Sequence, residues 1–169
     1  MSRPLLIGSY AAQLRGILPA WRRGMTRDID LVATPETAKR LAALWGARYH
    51  EHAPGRCYLS GRIDIDLRGE LIDPVLPWCE AVDARINGVV IPLLLPLPAL
   101  IVAIRRATLD SVPAARAKAL ADLADFERAG IAVGAALLMR AGAFRKPICD
   151  GGNSPPSTLQ STPKEKMNA

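Results

Sequence analysis

Apolar and polar positions along this chain follow two periods, and the switches between them mark its elements. Leu5-Leu6-Ile7 is a short apolar run that ends at Gly8, and beyond it Leu14, Ile17 and Leu18 recur at helical spacing within Tyr10 to Leu18. A strand therefore feeds a helix. Residues 19–27 lack an apolar period, carry Pro19, Gly24, Trp21, Arg22, Arg23 and Arg27, and read as an exposed loop. Ile29, Leu31 and Val32 begin a second strand. Thr34-Pro35-Glu36 then supplies a hydroxyl cap, a first-turn proline and an early acid, so a helix starts there, with Ala38, Leu41, Ala42 and Leu44 as its apolar face and its end near Gly46.

Two strands are expected in 47–60, broken at Ala53-Pro54-Gly55, and Arg62 to Arg68 sets Ile63, Ile65 and Leu67 against Asp64, Asp66 and Arg68 in strict strand alternation. Asn87-Gly88 between Val82–Ile86 and Val89–Ile91 predicts a two-residue hairpin, because both positions tolerate positive φ. The period then becomes helical in Pro98–Ala107, Pro113–Arg128 and Ile131–Phe144. The pattern predicts an α/β (α+β) fold in which a mixed sheet is flanked by helices. One domain of residues 1–146 is expected, its sheet core in about 1–96 and its helices in about 97–146, followed by a disordered polar tail over 147–169.

Composition narrows the possibilities modestly. Half of the 169 residues are apolar, enough for one sizeable core. Lysines and arginines number 22 against 16 acids, a net charge of +6 that favours anionic partners such as nucleotides or nucleic acid. Cys57, Cys79 and Cys149 are widely spaced and form no CxxC pair, as suits reduced thiols and no zinc site. Three apolar residues before Gly8 are too few for a secretory signal, and Pro92, Pro96 and Pro98 interrupt the most apolar stretch, Val89 to Ile104. A cytoplasmic protein with no membrane partner is expected, in which that stretch is a buried strand followed by a helix.

The chemistry lies in the acidic strands. Residues two apart on a strand point to one face, so Asp28 and Asp30 project together, as do Asp64 and Asp66. Paired carboxylates repel, and a magnesium ion, which takes oxygen ligands and shares them with phosphates, relieves that repulsion. Gly8 lets backbone approach a phosphate closely, Ser9 adds a hydroxyl, and the following helix start offers free N–H groups.

In this order, Leu6-Ile7-Gly8-Ser9, Arg27-Asp28-Ile29-Asp30-Leu31-Val32 and Ile63-Asp64-Ile65-Asp66-Leu67, the sequence resembles the polymerase-beta-like nucleotidyltransferase superfamily, especially its small bacterial members of the minimal, antibiotic- or toxin-type. The likeness extends over roughly residues 5–128, since Leu100 to Arg106 and Lys118-Ala119-Leu120-Ala121-Asp122-Leu123 look like that superfamily's later basic helix and Lys-Asp-x-x-Asp-Leu helix. Here Ala119 stands in place of the first Asp, Arg105 in place of the usual Lys, and 18 residues separate Ser9 from Asp28, a longer gap than usual.

The resemblance implies a nucleotidyltransferase core and transfer of a nucleoside monophosphate from a nucleoside triphosphate to a hydroxyl, with magnesium or manganese as cofactor. It implies metal ligation by Asp28, Asp30 and one of Asp64 and Asp66, with Asp66 preferred, that third carboxylate also helping to deprotonate the acceptor. Gly8, Ser9, Arg105 and Lys118 would bind the nucleotide. Small molecules, RNA and protein hydroxyls all serve as acceptors across the superfamily.

Two other readings compete. A catalytically silent relative, for example a toxin–antitoxin component, would bind a nucleotide or a protein partner; a basic nucleic-acid-binding protein would carry the aspartates incidentally. Further candidates have simpler readings: His50 and His52 lack a third ligand nearby in sequence, the Trp21-Arg22-Arg23 and Arg27 cluster reads as a solvated loop or, ahead of the first Asp pair, as a contact for an acceptor or a nucleic-acid backbone, and Cys57 and Cys79 read as small buried groups.

Overall fold

The computed structural model describes residues 2–22, 24, 28–59, 62–109 and 116–145. Arg23, Arg27, Pro113, Cys149 and the polar tail expected from residue 147 lie outside them. The elements in chain order are β1 (Leu5–Ile7), α1 (Gly8–Leu14), β2 (Ile29–Val32), α2 (Pro35–Leu44), β3 (Glu51–Ala53), β4 (Arg56–Leu59) and β5 (Ile63–Asp66), then β6 (Cys79–Ile86), β7 (Val89–Pro96), α3 (Pro98–Ala107), α4 (Arg116–Arg128) and α5 (Ala135–Ala141). Short 3-10 turns at Ala20–Arg22, Gly69–Leu71, Asp73–Trp78 and Gly142–Phe144 complete the chain.

The strands form a single seven-stranded mixed sheet in the order β3-β4-β5-β2-β1-β7-β6. In its centre β1 runs antiparallel to β2, with Ile7 opposite Asp30, and parallel to β7. Strand β2 runs parallel to β5, so that Asp30 faces Asp64 and Val32 faces Asp66. The chain is thus an α/β protein with a mixed sheet flanked by helices, as its hydropathy pattern predicts.

Strand alternation divides the core. On one face Leu6, Ile29, Leu31, Ile63 and Ile65 pack with Ala11 and Ala12 of α1 and Ala38, Leu41 and Ala42 of α2. On the other, Leu5, Val32 and Leu94 pack with Leu100, Ala103 and Ile104 of α3 and Leu137 and Ala141 of α5. Because side chains two apart share a face, Asp30, Asp64 and Asp66 lie on this second side.

Local signals behave as their chemistry requires. Thr34 caps α2, its hydroxyl accepting from the Thr37 N–H at 3.2 Å, with Pro35 in the first turn. Asn87 and Gly88 both adopt positive φ, 49° and 83°, in the tight turn joining β6 to β7. The apolar stretch from Val89 becomes β7 followed by α3, and no helix of the described residues is long and apolar enough to cross a membrane.

Two expectations need correction. The first helix begins at Gly8 and ends at Leu14, because Gly16 turns left-handed at φ 70° and Ile17 and Leu18 leave the helix to reach the core. Residues 131–134 are not helical, so α5 is shorter than its apolar period implies.

Candidate functional site

The site forms where β1 ends and α1 begins, beside the carboxylates of β2. Gly8 adopts φ 72°, a left-handed conformation that side chains resist, and its α-carbon is turned toward Asp30. A Cβ at this position would lie 3.2 Å from Asp30 Cγ and closer still to Oδ2. Backbone and carboxylate therefore approach as closely as only glycine permits.

The next residue anchors a charged hub. Ser9 Oγ accepts from Arg22 Nη2 at 2.8 Å and from Arg105 Nη2 at 3.0 Å. Both guanidiniums also meet Asp122 of α4: Arg22 donates to both of its carboxylate oxygens, and Arg105 bridges to Oδ2 at 3.2 Å. Asp122 is fully buried and Arg22 is 2% exposed, so the network lies inside the protein. Two arginines against one aspartate leave a positive excess. Burial, first of all, lowers the Arg105 pKa, with Asp122 opposing, Arg22 adding to the shift and Asp30 opposing it. Burial likewise lowers the Lys118 pKa, reinforced by the positive charges of Arg22 and Arg105, while Asp122 and Asp28 oppose it. Lys118 stands one turn before Asp122 on the same helix. The hub is a cationic cradle with the β2 carboxylates within electrostatic reach.

The second acidic strand is already neutralised. Asp64, beside Asp30 in register, is gripped by Arg56 of β4, whose Nε donates to Oδ1 at 3.0 Å and whose Nη2 pairs with Oδ2. Asp66, beside Val32 and 7% exposed, accepts from the backbone N–H of Arg68 at 3.1 Å and from its guanidinium at 2.6 to 3.2 Å. Arg68 is held in turn by the carbonyls of Ala143 and Phe144. Burial pushes the Asp66 carboxyl up, but the hydrogen bonds and charge of Arg68 outweigh it and hold the group below the usual carboxylate range.

The sheet register thus brings Asp64 alongside Asp30, while Asp66, preferred from sequence, is turned over to Arg68. Asp28 is exposed just ahead of β2. Ser9 and Arg105 meet in the hub, and Lys118 lies within electrostatic reach of Arg105 and Asp28. Sequence reading missed Arg22 and Asp122: Arg22 is buried rather than part of a solvated loop. A usable signal existed, since Ala119, Asp122 and Phe126 form the buried stripe of α4, and a carboxylate on an apolar stripe demands a cation.

The donor set matches a hard cation in kind. Magnesium is commonly held by one or two carboxylates plus substrate phosphates and water rather than by an all-protein cage. Asp28 and Asp30, with Asp64 alongside, offer oxygen donors only. No group of three His, Cys, Asp or Glu among the described residues is gathered tightly enough to hold an ion unaided. His52 stacks edge-on against Tyr58, ring centroids 5.8 Å apart. Of the described thiols, Cys57 is raised above its ordinary pKa and Cys79 is pushed up to about 11, both foremost by burial, which disfavours the reactive thiolate.

A large cavity of about 650 Å³ lies at the opposite end of β1 from Gly8, lined mainly by Arg3, Pro4, Arg40, Leu41, Leu44 and Pro92. It shares no residue with the acidic strands or the hub.

Fold and site together define the class: a mixed-sheet α/β protein with a glycine-tight carboxylate strand set against a buried arginine cradle. No family model and no curated protein matches the chain. Among solved structures, an antigenic nucleotidyltransferase-like protein from Paracoccidioides brasiliensis aligns over 83% of this chain and 77% of its own, with 15% identity and a TM-score of 0.43. At that level of likeness the class rests on the chain's own sheet and site.

Proposed function

We propose that the chain is a nucleotidyltransferase that moves a nucleoside monophosphate from a nucleoside triphosphate to a hydroxyl acceptor, releasing pyrophosphate. The observation that carries this reading is the pairing of Gly8 against Asp30 with Ser9 between Arg22 and Arg105. It sets an acidic strand edge against a cationic cradle, the two halves that a metal triphosphate needs. Arg105 and Lys118 would bind and orient the phosphate oxygens, buried Arg22 would hold Ser9 and Asp122 in place behind them, and Gly8 would allow the backbone to approach the phosphates. Asp28 and Asp30, together with the substrate's own phosphate oxygens, would hold magnesium or manganese, which when bound supplies neutralisation of the charge on the reacting phosphate. Asp64, as the register partner of Asp30, is better placed than Asp66 to join them once Arg56 releases its oxygens. The same carboxylate edge would accept the proton of the acceptor hydroxyl. Catalysis on this reading is positioning and charge neutralisation.

A second reading, nucleotide binding without transfer, is favoured by the arginines already seated on both β5 carboxylates. Incubation with each labelled nucleoside triphosphate, magnesium or manganese and cell extract separates the two. Label transferred by the native chain and lost in the Asp28→Asn/Asp30→Asn variant supports transfer. Transfer that survives in that variant refutes the assignment of these carboxylates, and tight binding with no transfer supports the second reading.

A further inference from the structure

Trp21 stands out among the large apolar side chains because it is 56% exposed and yet fixed on two sides. Its indole N–H donates to Asp125 Oδ2 at 3.3 Å, and the Arg22 guanidinium carbon sits 5.7 Å from its ring centroid. Arg22 is the same residue that grips Ser9 and Asp122, so the indole is joined directly to the cradle. Along α4, Lys118 lies four residues before Asp122 and Asp125 three residues after it, which at the helical rise separates Lys118 from the Trp21 anchor by about 10 Å. A ribose and its phosphates span that interval.

Resting on the reading of the cradle as a nucleoside triphosphate site, we propose that Trp21 is the stacking platform for the nucleotide's base. An exposed, pre-positioned indole binds a base through its π face at little ordering cost. Its one hydrogen-bonding group is occupied by Asp125, so the platform reads ring area rather than base edges. The substrate class is therefore purine nucleoside triphosphates, with adenine and guanine accepted alike and pyrimidines held more weakly.

Calorimetric titration of the full chain with magnesium and ATP, GTP, CTP or inorganic tripolyphosphate tests this, using the native protein, Trp21→Ala and Trp21→Phe. ATP and GTP should bind within about twofold of each other and roughly tenfold more tightly than tripolyphosphate, with CTP between. Trp21→Ala should lose that tenfold for both purine nucleotides and leave tripolyphosphate unchanged; Trp21→Phe should recover part of it. Unchanged tripolyphosphate binding also establishes that the variant is folded. If Trp21→Ala binds ATP as the native chain does, the platform is overturned while the nucleotide site stands. If the native chain binds neither ATP nor tripolyphosphate, the site reading itself fails and the platform with it.

Discussion

Gly8 and Asp30 meet across the β1–β2 pair so closely that a Cβ on Gly8 would intrude on the Asp30 carboxylate, at a position whose φ of 72° already excludes most side chains. Gly16 has nearly the same φ, 70°, but nothing within 4 Å of an added Cβ. The two glycines therefore separate backbone strain from steric exclusion. Gly16→Ala should lose about 1–2 kcal/mol from the left-handed backbone alone. Gly8→Ala should lose a further 1–3 kcal/mol or so, the usual range for overpacking. Urea unfolding of both variants checks this, and equal losses would mean that Asp30 yields freely.

Asp122 is shared by Arg22 and Arg105. Replacing it with Asn leaves the buried Arg22 guanidinium without its counter-charge and beside half-buried Arg105, and breaking such a pair costs about 3–5 kcal/mol. Equilibrium unfolding of Asp122→Asn should reveal a loss of that order. A loss below about 1 kcal/mol would mean that water enters the hub and solvates both arginines.

Asp66 makes stability depend on acid pH. Its folded pKa lies below the unfolded value, so its pairing with Arg68 stabilises the fold fully above about pH 4, the ordinary aspartate range. That stabilisation disappears as pH falls through the lower, folded pKa. Asp66→Asn should accordingly be less stable than the native chain at pH 7, and the two unfolding curves should converge as pH drops below about 4. Curves that stay parallel would remove Asp66 from the acid response.

Arg56 neutralises Asp64, the register partner of Asp30. If Asp64 shares the cation, Arg56→Gln frees its oxygens and should strengthen magnesium-dependent triphosphate binding by about twofold to fivefold, the size of a modest, partly exposed ion-pair effect. Titration with and without magnesium measures it. Weaker binding in both arms would place Arg56 on the ligand instead.

Local patterns made much of this fold legible. Alternation in Ile63 to Asp66, the Thr34-Pro35 helix start and the Asn87-Gly88 turn each depend on neighbours within a few residues, and each forms as its chemistry dictates. What depended on register was not legible. Asp64 and Asp66 are equivalent by alternation, and only the parallel pairing of β2 with β5 sets Asp64 beside Asp30 and leaves Asp66 to Arg68. Arg22 belongs to the same class of long-range fact. Nothing in Trp21-Arg22-Arg23 distinguishes a solvated arginine from one whose partner, Asp122, lies 100 residues away. The 3-10 turns over Gly69–Leu71 and Asp73–Trp78 went unread because Pro74 and Pro77 interrupt any apolar period there, yet they bury Leu71 and Val75 under the sheet.

The most direct measurement places the label. Native chain, magnesium and acceptor-containing extract are supplied in parallel with nucleoside triphosphate labelled at the α-phosphorus or at the γ-phosphorus. Nucleotidyl transfer puts the α-label on the acceptor and the γ-label in pyrophosphate, with both signals lost in Asp30→Asn. A γ-label on the acceptor, or α-label transfer undiminished in Asp30→Asn, would contradict the role given to the carboxylate that Gly8 faces.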